Sequence, residues 1–235
     1  MNEAAVEVAG VWKFFGDYPA LREIDLRIPA GSCLALIGRN GAGKTTLLRI
    51  LAGFSRAAKG TVSIGGADPR DTTARRRIGF IGHGISVYDE LSANENLRLF
   101  AKLYGIADPS AAARHWLQRV GLERVQDGLV REFSRGMRQR VALARAFVHQ
   151  PSVLLLDEPF TSLDDRAIAL LQSLIQEARQ AGASVVMSTH QLREALELAS
   201  DVALLNRGKL LHHGPRTAEI AADPGWLYRQ YGDRE

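Results

Sequence analysis

Apolar and polar residues alternate in two segments near the start of the chain. The alternation covers residues 4–11 and, more strictly, residues 21–28. A period of two is typical of strands that bury one face and expose the other, so both segments are predicted as strands of an antiparallel sheet. Residues 13–18 between them are predicted as a turn that carries three aromatic side chains.

Mostly apolar runs indicate a second kind of strand. They cover residues 32–37, 153–156 and 184–188. A strand that is covered on both faces of a parallel sheet shows this pattern. Further strands are predicted at residues 60–66 and 78–82, and a hairpin is predicted at residues 201–214.

Helical patterns lie between these strands. They cover residues 46–52, 91–122 with a break at 105–109, 135–149 and 165–181, and two short helical segments follow the hairpin. The helical stretch at about 84–150 falls between two core strands, so we expect an inserted α-helical subdomain within a single domain that spans residues 1–235. The predicted fold class is α/β, with a mixed sheet and an N-terminal antiparallel part.

Composition narrows the choice of partners and compartment. The chain has 235 residues and a formal net charge of +4, and its only tight basic run is Arg75-Arg76-Arg77. That run has no interleaved aromatic residues, so it is predicted as a solvated turn and no nucleic-acid partner is expected. No apolar run approaches the roughly 18 residues of a membrane span, and the N-terminus lacks a signal-peptide profile. The single cysteine, Cys33, is predicted to be buried, and we expect a cytosolic protein.

Residues 38–45 fit the phosphate-binding pattern G-x-x-x-x-G-K-[ST] at every position. A predicted strand precedes this loop and a predicted helix follows it, as the motif requires. Lys44 supplies a positive charge, the Thr45 hydroxyl is a candidate Mg²⁺ ligand, and the helix start adds free N–H groups. The predicted nucleotide-binding residues of the loop are Gly38, Arg39, Asn40, Gly41, Ala42, Gly43, Lys44, Thr45 and Thr46.

Polar residues follow two of the buried strands. Asp157 and Glu158 come at the end of one apolar run, and His190 follows another. Ligands of parallel α/β sheets gather at these strand ends. Asp157 is expected to anchor Mg²⁺, Glu158 to activate the water that attacks a γ-phosphate, and His190 to keep the water in line. Taken singly, an Asp-Glu pair before proline is often a helix cap, and a lone histidine is often an ordinary loop residue. Because all three residues follow predicted strands downstream of a phosphate loop, catalytic roles are favoured.

With these residues in place, the chain resembles the nucleotide-binding subunit of ATP-binding cassette (ABC) transporters over nearly its full length. The family's LSGGQ signature appears as Phe133-Ser134-Arg135-Gly136-Met137, and its Walker B segment matches residues 153–158. Its D-loop matches Ser162-Leu163-Asp164, its switch histidine matches His190, and Phe15 takes the place of the aromatic residue that stacks on adenine.

The resemblance implies a P-loop NTPase core of the ABC type that uses ATP and Mg²⁺. Two copies, or a copy and a paired ATPase subunit, would close head to tail around two ATP molecules. Each phosphate loop would then face Ser134, Arg135, Gly136 and Met137 of the other subunit. The chain would bind a transmembrane permease subunit at the cytoplasmic face of the cell membrane, with the surface around residues 82–91 receiving a coupling helix.

Two positions depart from the family pattern. His83 stands where the family usually has a glutamine that helps to ligate Mg²⁺. Imidazole is a poor Mg²⁺ ligand, so His83 is expected to act through water or in the interface. Arg135 and Met137 replace the signature's glycine and glutamine. Arg135 could add a charge near the phosphate or point to solvent.

The transported substrate is inferred from short strings only. Residues 80–83, 157–161 and 188–191 look like those of the haem exporter used in cytochrome c maturation. Two alternatives remain: an ABC ATPase that acts in DNA repair or on ribosomes, and an inactive module that senses nucleotide. The first usually carries coiled coils or a second cassette, and the second is disfavoured by Glu158 and His190. A GTPase is disfavoured because the chain has no Asn-Lys-x-Asp segment.

Overall fold

Two sheets and the helices that cover them make up the fold. The computed structural model describes residues 4–82, 84, 86–161, 163–223 and 225–232. The strands are β1 (Ala4–Phe15), β2 (Tyr18–Pro29), β3 (Cys33–Ile37), β4 (Lys59–Ile64), β5 (Ile78–Ile81), β6 (Val153–Asp157), β7 (Ser184–Thr189), β8 (Asp201–Asn206) and β9 (Lys209–Pro215). The α-helices are α1 (Lys44–Leu51), α2 (Thr72–Arg75), α3 (Ala93–Leu103), α4 (Pro109–Arg119), α5 (Arg135–Phe147), α6 (Asp165–Gln180), α7 (Leu192–Leu198) and α8 (Ala218–Ala222). Short 3₁₀ turns cover Glu123–Val125 and Val130–Glu132, and a π-helical turn covers Tyr228–Gly232.

The smaller sheet has the strand order β2-β1-β4 and is antiparallel, as the alternating pattern predicts. Alternate residues of β2, such as Ile24, Leu26 and Ile28, are buried. The predicted turn at residues 13–18 was too long, because Phe15 pairs with Tyr18 and only two residues are left between the strands. The strand pairing therefore carries the aromatic residues to the tip of a hairpin.

The larger sheet has the order β5-β6-β7-β3-β8-β9. All its neighbouring strands run parallel except the hairpin pair β8 and β9. Every residue of β3, β6 and β7 is buried, which explains their apolar runs. The register pairs Asp157 with Ser188 and Ile37 with Thr189, so the carboxyl ends of the three strands meet at one edge.

Helices α3, α4 and α5 lie between β5 and β6 in the chain and pack together through a shared set of buried side chains. The sequence explains where they begin. Ser92 and Glu95 form a capping box at α3, and Asp108 caps α4, which has proline at its first position. Ser134 caps α5, as predicted, by accepting a hydrogen bond from the N–H of Met137. The buried contacts among the three helices include Leu97, Ala101, Ala113, Leu117, Val141 and Phe147.

Three further features from the sequence concern the basic run, the cysteine and membrane-spanning helices. The Arg75-Arg76-Arg77 run is exposed, but it is not simply a turn, because Arg75 ends the short helix α2. Cys33 is fully buried, and burial raises the pKa of its thiol to about 12. The helices that the structure describes include none with the length and apolar character needed to cross a membrane.

A stack of two rings joins the end of α5 to the end of α3. The ring of His149 lies parallel to that of Tyr104, with centroids 3.6 Å apart. His149 Nε2 is 3.0 Å from the carbonyl oxygen of Ile78 on β5, so the ring nitrogen donates to it. Burial lowers the pKa of His149 from 6.5 to about 4. The neutral imidazole is therefore part of the contact between the helical region and the sheet.

This contact predicts a pH dependence of stability. Because the folded pKa lies below the unfolded pKa, the unfolded state binds the extra proton first as the pH falls. The contribution is complete above about pH 6.5 and is lost towards pH 4, with about 1 kcal/mol lost between pH 6 and pH 5. We expect His149→Gln to be less stable at pH 7 but to lose about 1 kcal/mol less than the wild type between pH 6 and pH 5, measured by urea unfolding. The exposed His115 provides the control His115→Gln, and an unchanged slope in His149→Gln would contradict the prediction.

Candidate functional site

A cleft of about 570 Å³ lies at the edge where the parallel strands end. The phosphate loop, the start of α1, and residues that follow β6 and β7 form its walls. The residues that line the cleft are Phe15, Tyr18, Ala20, Arg39, Asn40, Gly41, Ala42, Gly43, Lys44, Thr45, Thr46, Glu158 and His190. The structure thus brings most of the predicted nucleotide-binding residues together with both predicted catalytic residues.

The phosphate loop takes a conformation that needs glycine at three positions. Gly43 has φ +108°, and a Cβ there would lie 2.8 Å from the carbonyl oxygen of Ala20. Gly41 has φ +79°, in the left-handed region that favours glycine. Gly38 has a different constraint, because a Cβ there would lie 2.4 Å from the carbonyl oxygen of Leu205. Helix α1 begins at Lys44, within the last two residues of the loop, and the N–H groups of its first turn have no partners within the helix. The loop and helix therefore offer an anion-binding surface.

The side chain of Lys44 folds back against the backbone of the phosphate loop. Only 7 % of the residue is exposed, and its Nζ donates a hydrogen bond to the carbonyl oxygen of Gly38 at 2.7 Å. Nζ also lies 3.9 Å from Glu158 Oε1. Burial lowers the pKa of Lys44, while the charges of Glu158 and Asp157 act in the opposite direction. A cation so poorly hydrated attracts an incoming anion more strongly than one in water.

Asp157 is a buried carboxylate that joins three elements. Its Oδ1 accepts a hydrogen bond from the Thr45 hydroxyl on α1 at 3.0 Å and another from the Ser188 hydroxyl on β7 at 2.6 Å. No site role was predicted for Ser188, which was expected to end a buried strand. The signal that could have found it is a hydroxyl at the carboxyl end of a buried strand next to the one that carries Asp157.

The oxygens of Thr45 and Asp157 fit a Mg²⁺ ion. Both are hard oxygen ligands, which Mg²⁺ prefers. An octahedral ion with bonds of about 2.0–2.1 Å places neighbouring ligands about 2.9 Å apart. The measured separation of Thr45 Oγ1 and Asp157 Oδ1 is 3.0 Å. The predicted third candidate, His83, lies outside the described residues.

Glu158 is fixed at its backbone and at its carboxylate. Its φ of +53° is in the left-handed region, which is unfavourable for a residue with a side chain. Its N–H donates to the carbonyl oxygen of Ser188 at 3.0 Å. Its Oε2 accepts a hydrogen bond from the N–H of His190 at 3.1 Å and lies 2.8 Å from His190 Nδ1. The carboxylate therefore faces the cleft between Lys44 and His190, with few other positions open to it.

Two aromatic residues line the cleft at the hairpin tip. Phe15 is 60 % exposed and Tyr18 is 57 % exposed, and both lie on the cleft wall. Phe14 is not part of the cleft wall but stacks on Trp12. Phe15, the predicted base-stacking residue, therefore lines the cleft together with Tyr18, which was predicted only as part of the turn.

The signature residues lie apart from this cleft. Ser134, Arg135 and Gly136 are exposed at the start of α5, and none of them lines the cleft of their own subunit. Met137 is half-buried against the core. Asp164 caps α6 by accepting a hydrogen bond from the N–H of Ala167 at 2.8 Å. A role for these residues in nucleotide binding therefore requires a second subunit.

Comparison with known families gives one long match. A family model described as "ABC transporter" matches residues 21–161, which is more than half of the chain. A model described as an AAA domain matches residues 129–197, a shorter stretch.

Curated relatives match nearly the whole chain. The Nod factor export ATP-binding protein I of Cupriavidus metallidurans is 33% identical over 235 residues, which cover 98% of this chain and 78% of the relative. The daunorubicin resistance ATP-binding protein of Streptomyces coeruleorubidus is 36% identical over 229 residues, covering 96% of this chain and 72% of the relative. The sulfate/thiosulfate import ATP-binding protein of Mycobacterium tuberculosis is 37% identical over 217 residues, covering 91% of this chain and 62% of the relative.

A solved structure shares the same arrangement. It is a dimeric ATP-binding cassette in a post-hydrolysis state, bound to ADP and Pi. The TM-score is 0.80 at 26% identity, and the match covers 91% of this chain and 99% of that one.

Two of the three loop glycines, Gly38 and Gly41, give a prediction about stability. Gly38→Ala places a Cβ against the Leu205 carbonyl, so we expect a loss of about 2–3 kcal/mol in the free energy of unfolding. Gly41→Ala meets no described atom within 4 Å and should lose only about 1 kcal/mol through its left-handed φ. Urea unfolding of both variants tests this order, and equal losses would show that the approach of Leu205 does not constrain the loop.

Proposed function

Because this chain belongs to the ABC transporter family of ATP-binding subunits, we propose that it powers export through a membrane permease by closing as a dimer around ATP. The chain is an ATPase of that family and has its fold. The observation that carries the proposal is the convergence of Lys44, Asp157, Glu158 and His190 at one edge of the sheet. We also treat the whole chain as one nucleotide-binding domain, with the helical region at about 84–150 as its inserted subdomain.

Each group in the cleft has a task in hydrolysis. The loop N–H groups and Lys44 bind the phosphates, and Phe15 with Tyr18 contacts the base. Glu158 takes the proton of the water that attacks the γ-phosphate, while His190 holds the carboxylate and the water in line. A Mg²⁺ ion held by Thr45 and Asp157 would neutralise charge that develops on the phosphates.

Dimer closure is supported by the exposure of the signature segment. Ser134 and Gly136 are exposed at the N-terminus of a 13-residue helix, where free N–H groups favour an anion. They do not line their own subunit's cleft. In the proposed dimer this segment covers the γ-phosphate bound by the partner, as befits a relative solved as a dimer with ADP and Pi. Asp164, at the start of α6, is proposed to lie at the same interface.

A groove between the sheet and the helical region is the proposed binding site for the permease. It has a volume of about 370 Å³ and is lined by Phe54, Phe80, Phe100, Tyr104 and Arg145 among others. Phe54 is 62 % exposed. Such an exposed aromatic surface fits an amphipathic segment of a membrane subunit.

Beside this groove, the backbone of Tyr88 is held by Asn96. The side chain of Asn96 is fully buried and bonds to both the N–H and the carbonyl oxygen of Tyr88. Tyr88 itself is 54 % exposed and stacks on Phe100. Tyr88 thus presents an aromatic side chain within the surface around residues 82–91 that was predicted to receive a coupling helix. The proposed location of the chain is the cytoplasmic face of the cell membrane.

The direction of transport, export, and the cargo, haem, are the more specific parts of the proposal. Export is supported by the Nod factor exporter among the relatives, although the sulfate/thiosulfate relative is named as an importer. Haem rests only on residues 80–83, 157–161 and 188–191, and the three relatives are named for other cargoes. Haem export stays a prediction that co-purification of the permease and its cargo would test.

Replacing the proposed base tests the mechanism. Glu158→Gln keeps the shape of the side chain but cannot accept the proton, so we expect ATP binding to persist and phosphate release to fall at least about 100-fold. The variant should also accumulate as an ATP-bound dimer in light scattering. The exposed Glu123 provides the control Glu123→Gln, which should behave like the wild type. A freely hydrolysing monomeric Glu158→Gln would refute both the base and the dimer.

Site-directed crosslinking tests the groove. With Cys33 changed to alanine, cysteines placed at Phe54 and Tyr88 should crosslink to the co-expressed permease, because both side chains are exposed beside the groove. A cysteine at Val125, which is exposed outside the groove lining, serves as the control. Crosslinks at Val125 without any at Phe54 or Tyr88 would place the permease on another surface.

A further inference from the structure

A second, smaller cavity lies next to Glu158. It has a volume of about 80 Å³, and its lining includes Gly82, Arg135, Gln139, Glu158 and Thr161. Glu158 lines the nucleotide cleft as well, so this residue forms part of the wall between the two spaces. The cavity is therefore in contact with the proposed base but is formed by other elements, chiefly the first turns of α5 and the chain after β6.

The lining of this cavity is suited to water. The Thr161 hydroxyl oxygen is buried and has no hydrogen-bond partner among the described residues. A buried hydroxyl left in that state costs about 1–3 kcal/mol, and an ordered water relieves it. At roughly 30 Å³ for each water, the cavity has room for about two or three. The Gln139 amide and the Glu158 carboxylate offer the further polar partners that such waters need.

One end of the cavity reaches solvent along α5. Arg135 and Gln139 are four residues apart, so they lie on the same face of the helix. Arg135 is exposed, whereas Gln139 is half-buried. The polar path therefore runs from Glu158 past Thr161 and Gln139 towards the solvent at Arg135.

The reaction produces a proton that has to leave. At neutral pH the balance is ATP⁴⁻ + H₂O → ADP³⁻ + HPO₄²⁻ + H⁺. The water oxygen forms a bond to the γ-phosphorus, the bond from that phosphorus to the ADP oxygen breaks, and a water proton goes to Glu158. In the proposed dimer the partner subunit covers the cleft, so a proton that leaves Glu158 while the dimer is still closed needs another route.

We propose that this cavity holds ordered water that carries the proton from Glu158 to solvent. The inference rests on the proposed role of Glu158 as the base. The protonated carboxyl group gives its proton to the first water, each following water or hydroxyl passes one proton on, and Glu158 returns to the carboxylate. Among the described residues, the charged groups near Glu158 are Lys44 from α1, 3.9 Å from Oε1, and His190 from the end of β7, 2.8 Å from Oε2, while Arg135 from α5 lines the same cavity.

The experiment removes the polar groups of the path and looks for rescue by buffer. Thr161→Val and Gln139→Leu should each lower kcat for phosphate release about tenfold, less than the 10²–10⁴ of a direct general base. KM for ATP should stay within about twofold, because neither residue lines the nucleotide cleft. Raising the imidazole concentration at constant pH and ionic strength should restore the rate of both variants and leave the wild type unchanged.

Two control variants and the outcomes of the cavity variants decide whether the proton route exists. Thr161→Ser, which keeps the hydroxyl, should retain the wild-type rate, as should Gln118→Leu at an exposed position on α4. A rate loss in Thr161→Val that imidazole does not restore, or no loss in either cavity variant, would overturn the proton route. Hydrolysis that persists in Glu158→Gln would instead overturn the proposed function of Glu158 itself.

Discussion

The rest of the site depends on the buried carboxylate of Asp157. One of its two oxygens, Oδ1, accepts hydrogen bonds from both Thr45 and Ser188, and the residue is only 3 % exposed. A buried carboxylate without such partners would be strongly unfavourable. The hydrogen bonds therefore tie the start of α1 and the end of β7 to the end of β6. The loop that binds phosphate and the strand that leads to His190 are fixed relative to each other by the same group that is proposed to anchor the metal.

That constraint also accounts for the unusual backbone of Glu158. The residue follows Asp157 directly, and its left-handed φ turns the chain so that its N–H bonds to Ser188 and its side chain faces Lys44 and His190. Strain of about 1–3 kcal/mol at such a residue persists only where the surroundings hold it in place. Here the Ser188 contacts do so, and the result is a carboxylate that needs little reorganisation when a substrate arrives.

The sequence predicts the parts of this molecule that local pattern determines. The apolar runs of β3, β6 and β7, the phosphate loop and the carboxyl-end positions of Asp157, Glu158 and His190 could all be predicted, because burial on both faces and motif spacing are local properties. Ser188, Tyr18 and the cavity beside Glu158 could not. Ser188 depends on the register of β7 against β6, Tyr18 on the length of a hairpin, and the cavity on how α5 packs against the sheet. These are tertiary properties, as is the short helix α2, which buries Ala74 and includes only the first residue of the basic run, Arg75.

The start of α5 shows how one helical turn can serve two surfaces. A Cβ at Gly136 would meet no described atom within 4 Å, and its backbone is not left-handed, so nothing described within the subunit requires glycine there. Glycine in a helix lowers stability by about 0.5–1 kcal/mol relative to alanine. The open space at Gly136 leaves room for a close approach from outside the subunit, as the proposed contact with a partner's phosphate requires. Arg135 lies one position away, at a cavity that Glu158 also lines. Of the two departures from the signature, Met137 packs against the core, whereas Arg135 is exposed like Ser134 and Gly136 and also lines that cavity.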